Sequence, residues 1–150
     1  MSLDQLLRHV FEDLGIPELA LNGHGVYQIT TEEGVIVSIE DAPLEGSAHF
    51  YATIATAPDM DREALFSTLL EAQLFGSEVG EGLAFGFERS SGEILLCRKL
   101  RIDSIDPEPF GLALNEFIAW AEHWQKKLAQ LDTTPVSDVS MEQSMHFLRA

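Results

Sequence analysis

The groups in this sequence that could do chemistry are five histidines, one cysteine, several paired acids and a glycine-rich stretch. His9, His24, His49, His123 and His146 lie in different segments, and none has the HExxH-type spacing that sets two imidazoles on one helix face for a metal. Glu122 and His123, beside Trp120 and Trp124, read as a solvated helix face rather than as a base with its orienting carboxylate. Cys97 sits among Leu and Ile, where a free thiol behaves as a small hydrophobe. Nothing in the sequence places a His or a helix N-terminus beside it to activate it. A lone cysteine forms neither an internal disulfide nor a cysteine-rich zinc site. Gly76, Gly80, Gly82 and Gly86 do not make the GxxxxGK run that cradles phosphates. Glu32-Glu33 and Glu40-Asp41 are what an acidic surface carries. The expectation is a protein that is not an enzyme, with no cofactor and no metal.

Composition narrows the partners. The 150 residues hold 25 Asp and Glu against 9 Lys and Arg, a net charge of −16, yet 45% are hydrophobic. That apolar content separates the chain from disordered acidic sequences, and the length fits one domain. A pI near 4.4 argues against nucleic acid, since phosphate binding needs a basic footprint. The only basic cluster, Arg98, Lys99 and Arg101, is short. The first residues lack the apolar run of a secretory signal, and no stretch is long enough for a membrane span. A soluble intracellular protein is expected.

The elements that must position these residues follow from periodicity. Leu3, Leu6, Leu7, Val10, Phe11 and Leu14 form one helical stripe, with Ser2 as N-cap and Gly15-Ile16-Pro17 as a stop. Residues 26–30 and 35–39 are β-branched strands joined by a turn at Gly34, with Val35, Val37 and Ile39 on one face. After a loop from Asp41, a third strand runs from about Ala48 to Thr56, with Ala48, Phe50, Ala52 and Ile54 sharing a face. Pro58-Asp59 opens a second helix, capped by Asp59, with Leu65, Leu69 and Ala72 on one side and Phe66, Leu70 and Leu74 beside it. Gly76 closes that helix, and residues 76–82, with three glycines, are expected to be a mobile surface loop.

A second hairpin follows. Leu83, Phe85 and Phe87 alternate with Ala84, Gly86 and Glu88, leaving one nearly flat face open to close approach. In the next strand Ile94, Leu96, Leu100 and Ile102 share a face that Arg98 interrupts, while Leu95 and Cys97 lie on the other. Apolar on both faces at its start, this strand is central or lies in a subunit interface. Asp106-Pro107 starts the last helix, where Phe110, Leu114, Phe117, Ala121, Trp124, Leu128 and Leu131 form a heptad-like seam. The fold class is α+β: an antiparallel twisted sheet covered by helices on one side, in the order α-β-β-β-α-β-β-α. Residues 1–132 make the domain and 133–150 a tail, either flexible or a short helix through Met141, Met145 and Leu148.

Leu69-Leu-Glu-Ala-Gln-Leu-Phe-Gly76, Leu83-Ala-Phe-Gly-Phe87, Gly92-Glu-Ile-Leu-Leu-Cys-Arg-Lys-Leu100 and Phe117-Ile-Ala-Trp-Ala-Glu-His-Trp124, with the acidic pI and this element order, resemble the type III secretion chaperones of the Tir-chaperone (CesT) family, class I. The resemblance spans roughly residues 3 to 131. It implies a cytoplasmic bacterial homodimer that binds the N-terminal segment of a secreted effector and keeps it secretion-competent, with no nucleotide hydrolysis. The secretion-apparatus ATPase is a further implied partner. By resemblance, effector binding falls near the first helix and first sheet, on Leu3, Leu6, Leu7, Val26, Ile29, Val35 and Val37. Dimerisation falls on the second helix and last two strands, at Leu69, Phe75, Leu83, Phe85, Leu95 and Cys97. Two alternatives compete. One is a regulatory binding protein of the same secretion system that sequesters a transcriptional regulator's partner. The other is a small enzyme, which would need His24 or His49 to meet a carboxylate in a pocket.

Overall fold

A computed structural model describes residues 1–14, 20–21 and 25–133. The expected tail, the Gly15-Ile16-Pro17 stop, His24 and His146 lie outside those residues. The elements are α1 (Leu3–Leu14), β1 (Ala20–Leu21), β2 (Tyr27–Thr30), β3 (Ile36–Ala42), β4 (Ser47–Thr56), α2 (Arg62–Gln73), β5 (Leu83–Glu88), β6 (Glu93–Arg101) and α3 (Pro107–Thr133). The expected order holds, with the two-residue β1 added. All neighbouring strands are antiparallel, in the order β1-β2-β3-β4-β6-β5, so β6 is interior and β5 is an edge.

Register decides which side chains meet the helices. Phe50 pairs with Ile39 on one side and Arg98 on the other, and Phe85 pairs with Leu96. These share the inner face. There Phe50 meets the rings of Phe110 and Phe117 edge-on, each at 5.8 Å, an arrangement that suits aromatic quadrupoles. The α3 seam is buried from Phe110 through Leu128, while Leu131 is exposed. Helix α1 crosses α3 at Gly111, where an added Cβ would come within 3.3 Å of Val10. Arg98, the one break in the inner apolar row, bonds the Ala113 carbonyl at 3.3 Å and the Glu116 carboxylate at 3.0 Å, so its charge is met by α3. Helix α2 also packs on this side, with Phe66 and Phe87 at 5.1 Å and the Arg62 guanidinium over Phe87. All three helices therefore cover one face of the sheet, as expected.

Local details refine the sequence reading. Ser2 and Gln5 make a reciprocal capping box: Gln5 N–H donates to Ser2 Oγ (3.3 Å) and Ser2 N–H to Gln5 Oε1 (2.9 Å). Asp59 does not cap α2. The helix starts three residues later at Arg62, and Asp59 instead sits 3.8 Å from the Arg62 guanidinium. The N-cap is Asp61, in the left-handed region with φ 59° and no side-chain cap bond. Residues 41–42 belong to β3 rather than to a loop.

The segment between α2 and β5 is anchored rather than held by solvent. Val79 is buried, Glu78 N–H bonds the Ala72 carbonyl, and Trp124 Nε1–H donates to the Glu78 carbonyl at 3.1 Å. Gly80 is required here, since at φ 89° its Cβ would lie 2.6 Å from the Trp120 indole nitrogen.

Candidate functional site

The chemistry-bearing residues stay apart. Among the described residues no three His, Cys, Asp or Glu side chains group to hold a metal. His49 lies 3.8 Å from Glu45, but Lys99 already holds that carboxylate at 2.5 Å and keeps its pKa below the usual range. His123 stands edge-on to Trp120 (5.5 Å) and Trp124 (5.8 Å). Burial alone pushes the Cys97 thiol up, away from the thiolate a nucleophile needs. Buried polar side-chain atoms among the described residues all have partners, so the core needs no further ligand to be satisfied.

Two apolar surfaces are left open instead. The first lies where α2 meets edge strand β5. A groove of about 290 Å³ is lined by Phe66, Leu69, Leu70, Phe85, Gly86, Phe87 and Ile94. Its rim carries Leu70 (67% exposed) and Leu74 (59%), and beyond them Phe75 stands out at 97%. Phe75 also has left-handed backbone, φ 56° and ψ 22°, which is unfavourable for a residue with a Cβ. The strained backbone holds an apolar ring in water. Gln73, one turn before, accepts a 2.6 Å hydrogen bond from the Phe85 N–H. This occupies one outward-pointing donor of the β5 edge and leaves that edge a poorer template for another strand.

The second surface is the outer face of the sheet. Ser38, Tyr51, Cys97 and Ala84 follow one another across β3, β4, β6 and β5. Thr53, Leu95 and Gly86 form the next row, with Ile36 (52% exposed) nearby on β3. A cavity of about 540 Å³ is lined by outer-face residues that include Ile36, Tyr51, Thr53, Leu95, Glu88 and Glu93, and also by inner-face Ala52 and by Gln125 of α3. The Tyr51 phenol is pushed up by burial and then by the charge of Glu40.

Several expected site residues are not available as surface. Leu3, Leu6, Leu7, Val26, Val35 and Val37 are all buried, and Ile29 is half-buried. Their stripe faces the sheet and α3, so in this conformation those six give no area to an effector. The outward neighbour Ile36 is 52% exposed. Alternation with Val35 and Val37 marks it in the sequence, but attention to the polar Ser38 and Glu40 on the same face hides it. The six expected interface residues are not one cluster. Leu69 and Leu83 are buried and Phe85 half-buried on the inner side, Leu95 and Cys97 lie on the outer face, and Phe75 projects from the end of α2. Leu70 and Leu74, expected beside the α2 stripe, are exposed.

The sequence matches the Tir chaperone protein (CesT) family over residues 5–125, most of the chain. The chain belongs to that family. None of the curated proteins compared matches it significantly. Solved structures share its fold at low identity. The ExsC-ExsE complex provides a chain with TM-score 0.68 and 22% identity, covering 92% of this chain and 100% of that one. The HopA1-SchA chaperone-effector complex gives TM-score 0.63 at 13% identity, covering 82% and 92% respectively. The heterodimeric ExoU-SpcU complex from the type III secretion system of Pseudomonas aeruginosa gives TM-score 0.61 at 18%, covering 82% and 94%. No helix among the described residues is long and apolar enough to cross a membrane.

Proposed function

We propose that this CesT-family chain is a non-catalytic type III secretion chaperone that binds the N-terminal segment of a secreted effector and keeps it soluble and secretion-competent. The observation that carries the reading is apolar surface left open in two separate places on a fold whose core is already closed. A single domain has no packing use for Phe75 at 97% exposure or for the groove beside it.

In this reading the two surfaces divide the work. The α2–β5 groove, with Phe75 and Leu74, joins two copies of the chain. Phe75 of one copy seats in the groove of its partner, where aromatic anchors contribute most to an interface. The outer sheet face, with Ile36, Tyr51 and Leu95, takes the extended client. An extended segment adds main-chain hydrogen bonds at a strand edge and sets alternate side chains into pockets. The charge of −16 keeps such a surface from self-aggregating. The chaperone acts in the bacterial cytoplasm, and the secretion-apparatus ATPase is a proposed further partner on the resemblance alone. No observation favours the regulator-sequestering alternative.

Co-expression with the N-terminal fragment of an effector encoded beside this chain tests the reading. A complex that survives gel filtration is expected, and Ile36→Asp weakens it at least tenfold without loss of fold. Failure of every such fragment to bind contradicts the proposal.

A further inference from the structure

We propose that the cleft between α3 and the segment joining α2 to β5 receives an arginine side chain from a basic segment of a partner protein. The cleft encloses about 500 Å³, within the roughly 300–1,000 Å³ of a ligand pocket, and is lined by Ser77, Glu78, Glu116, Trp120, His123 and Lys127. It shares no lining residue with the α2–β5 groove or with the outer-face cavity. Nothing about this cleft depends on the chaperone reading.

Its first wall is built into α3. Glu116, Trp120, His123 and Lys127 follow one another at intervals of four, three and four, which sets them along one side of the helix. This stripe is distinct from the buried seam of Phe117, Ala121, Trp124 and Leu128. Two contacts fix the opposite wall. Trp124 Nε1–H holds the Glu78 carbonyl, and Gly80 lets the backbone lie against the Trp120 indole, where a Cβ would be 2.6 Å from its nitrogen. His123 stands edge-on to the Trp120 ring at 5.5 Å. A cleft fixed in advance loses little entropy on binding.

Charge and shape select the occupant. A planar guanidinium stacks on an indole and donates to carboxylates through a rigid fork. Glu116 and Glu78 are each engaged through Oε2, by Arg98 at 3.0 Å and by Lys127 at 3.4 Å. Both side chains are nevertheless exposed, and a carboxylate has further acceptor sites. Glu81 and Glu122 adjoin the cleft in sequence, so four carboxylates outnumber the cations Arg98, Lys126 and Lys127. Lys127 lies over the Trp124 ring at 4.7 Å, so a cation already rests on an indole beside this cleft. An anion would be repelled by a chain of net charge −16, whereas a basic partner is steered toward it.

The test uses the intact chain, whose two tryptophans give two indole N–H resonances. A blocked Gly-Arg-Gly peptide is titrated at fixed ionic strength beside its citrulline counterpart, which keeps the shape without the charge. The Trp120 resonance is expected to shift saturably with the arginine peptide at about millimolar concentration, as for one stacked, charge-assisted contact. The citrulline peptide should bind roughly tenfold more weakly. Glu78→Gln should weaken arginine binding roughly threefold, while Glu33→Gln, in the β2–β3 turn outside the cleft, should leave it unchanged. Equal binding of the two peptides overturns the proposal, as does a Trp120 resonance that does not move. An equal loss from Glu33→Gln also overturns it, because the attraction then belongs to the overall charge. The peptide comparison is made on the unaltered chain and stands even where Glu78→Gln fails to fold.

Discussion

Gln73 Oε1 accepts a 2.6 Å hydrogen bond from the backbone N–H of Phe85, tying the end of α2 to the outward edge of β5. The bond closes one donor on a sheet edge that lies next to an exposed apolar groove. In the proposed dimer, two copies meeting here are steered toward side-chain packing rather than strand pairing. Gln73→Ala is expected to cost about 1 kcal/mol of folding stability. The freed edge should also produce concentration-dependent association beyond a dimer, seen by light scattering.

Phe75 separates folding from the proposed assembly, because its side chain is exposed while its backbone is left-handed. Phe75→Gly removes the steric cost of that conformation, about 1 kcal/mol, so denaturant stability of the monomer should hold or rise. Dimer dissociation, followed by sedimentation, should shift to higher concentration. A variant that unfolds without altering association would contradict the assignment.

Trp124 is the main internal anchor. Fully buried, it meets Phe85 edge-on at 4.8 Å and holds the Glu78 carbonyl. Trp124→Phe keeps most of the ring but leaves that carbonyl without its donor, with an expected loss of about 1–3 kcal/mol. Trp124→Ala should cost about 3–5 kcal/mol. Hydrogen exchange should rise most in residues 77–82.

Acid sensitivity has a visible source at the β5–β6 turn. The Glu88 carboxylate accepts bonds from the Ser90 hydroxyl, the Ser91 N–H and the Ser90 N–H, which lower its pKa to about 2. A carboxylate with a depressed folded-state pKa stabilises above its unfolded value of 4.5, and loses that contribution as pH falls toward 2. Glu88→Gln should therefore be less stable than the parent at neutral pH, with the gap closing below pH 4.5. A carboxyl resonance titrating near pH 2 would confirm the cause, and one near 4.5 would refute it.

Much of this architecture was legible because local pattern and tertiary burial agree. Val35, Val37 and Ile39 alternate in sequence and are buried together, and the α3 seam from Phe110 to Leu128 packs as its spacing implies. Legibility failed where a long-range contact overrides a local signal. Three glycines between residues 76 and 82 suggest mobility, yet Trp120 and Trp124, some forty residues onward, pin that segment. Asp59 has the chemistry of an N-cap, but the left-handed turn at Asp61 delays the helix. The surfaces were harder still. An apolar stripe such as Leu3, Leu6 and Leu7 looks the same whether it faces a core or a partner, and only the fold shows that the core takes it. Phe75 is singled out only by likeness to a family, since nothing in its neighbours reveals that its ring points into water.

In the proposed function, two copies of this chain present open apolar surface to one extended effector segment. Light scattering on the co-purified complex with an effector's N-terminal fragment tests it most directly. A mass equal to two chains with bound fragment, and to two chains without it, is the expected result. A monomer at micromolar concentration that leaves every fragment unbound would contradict the account.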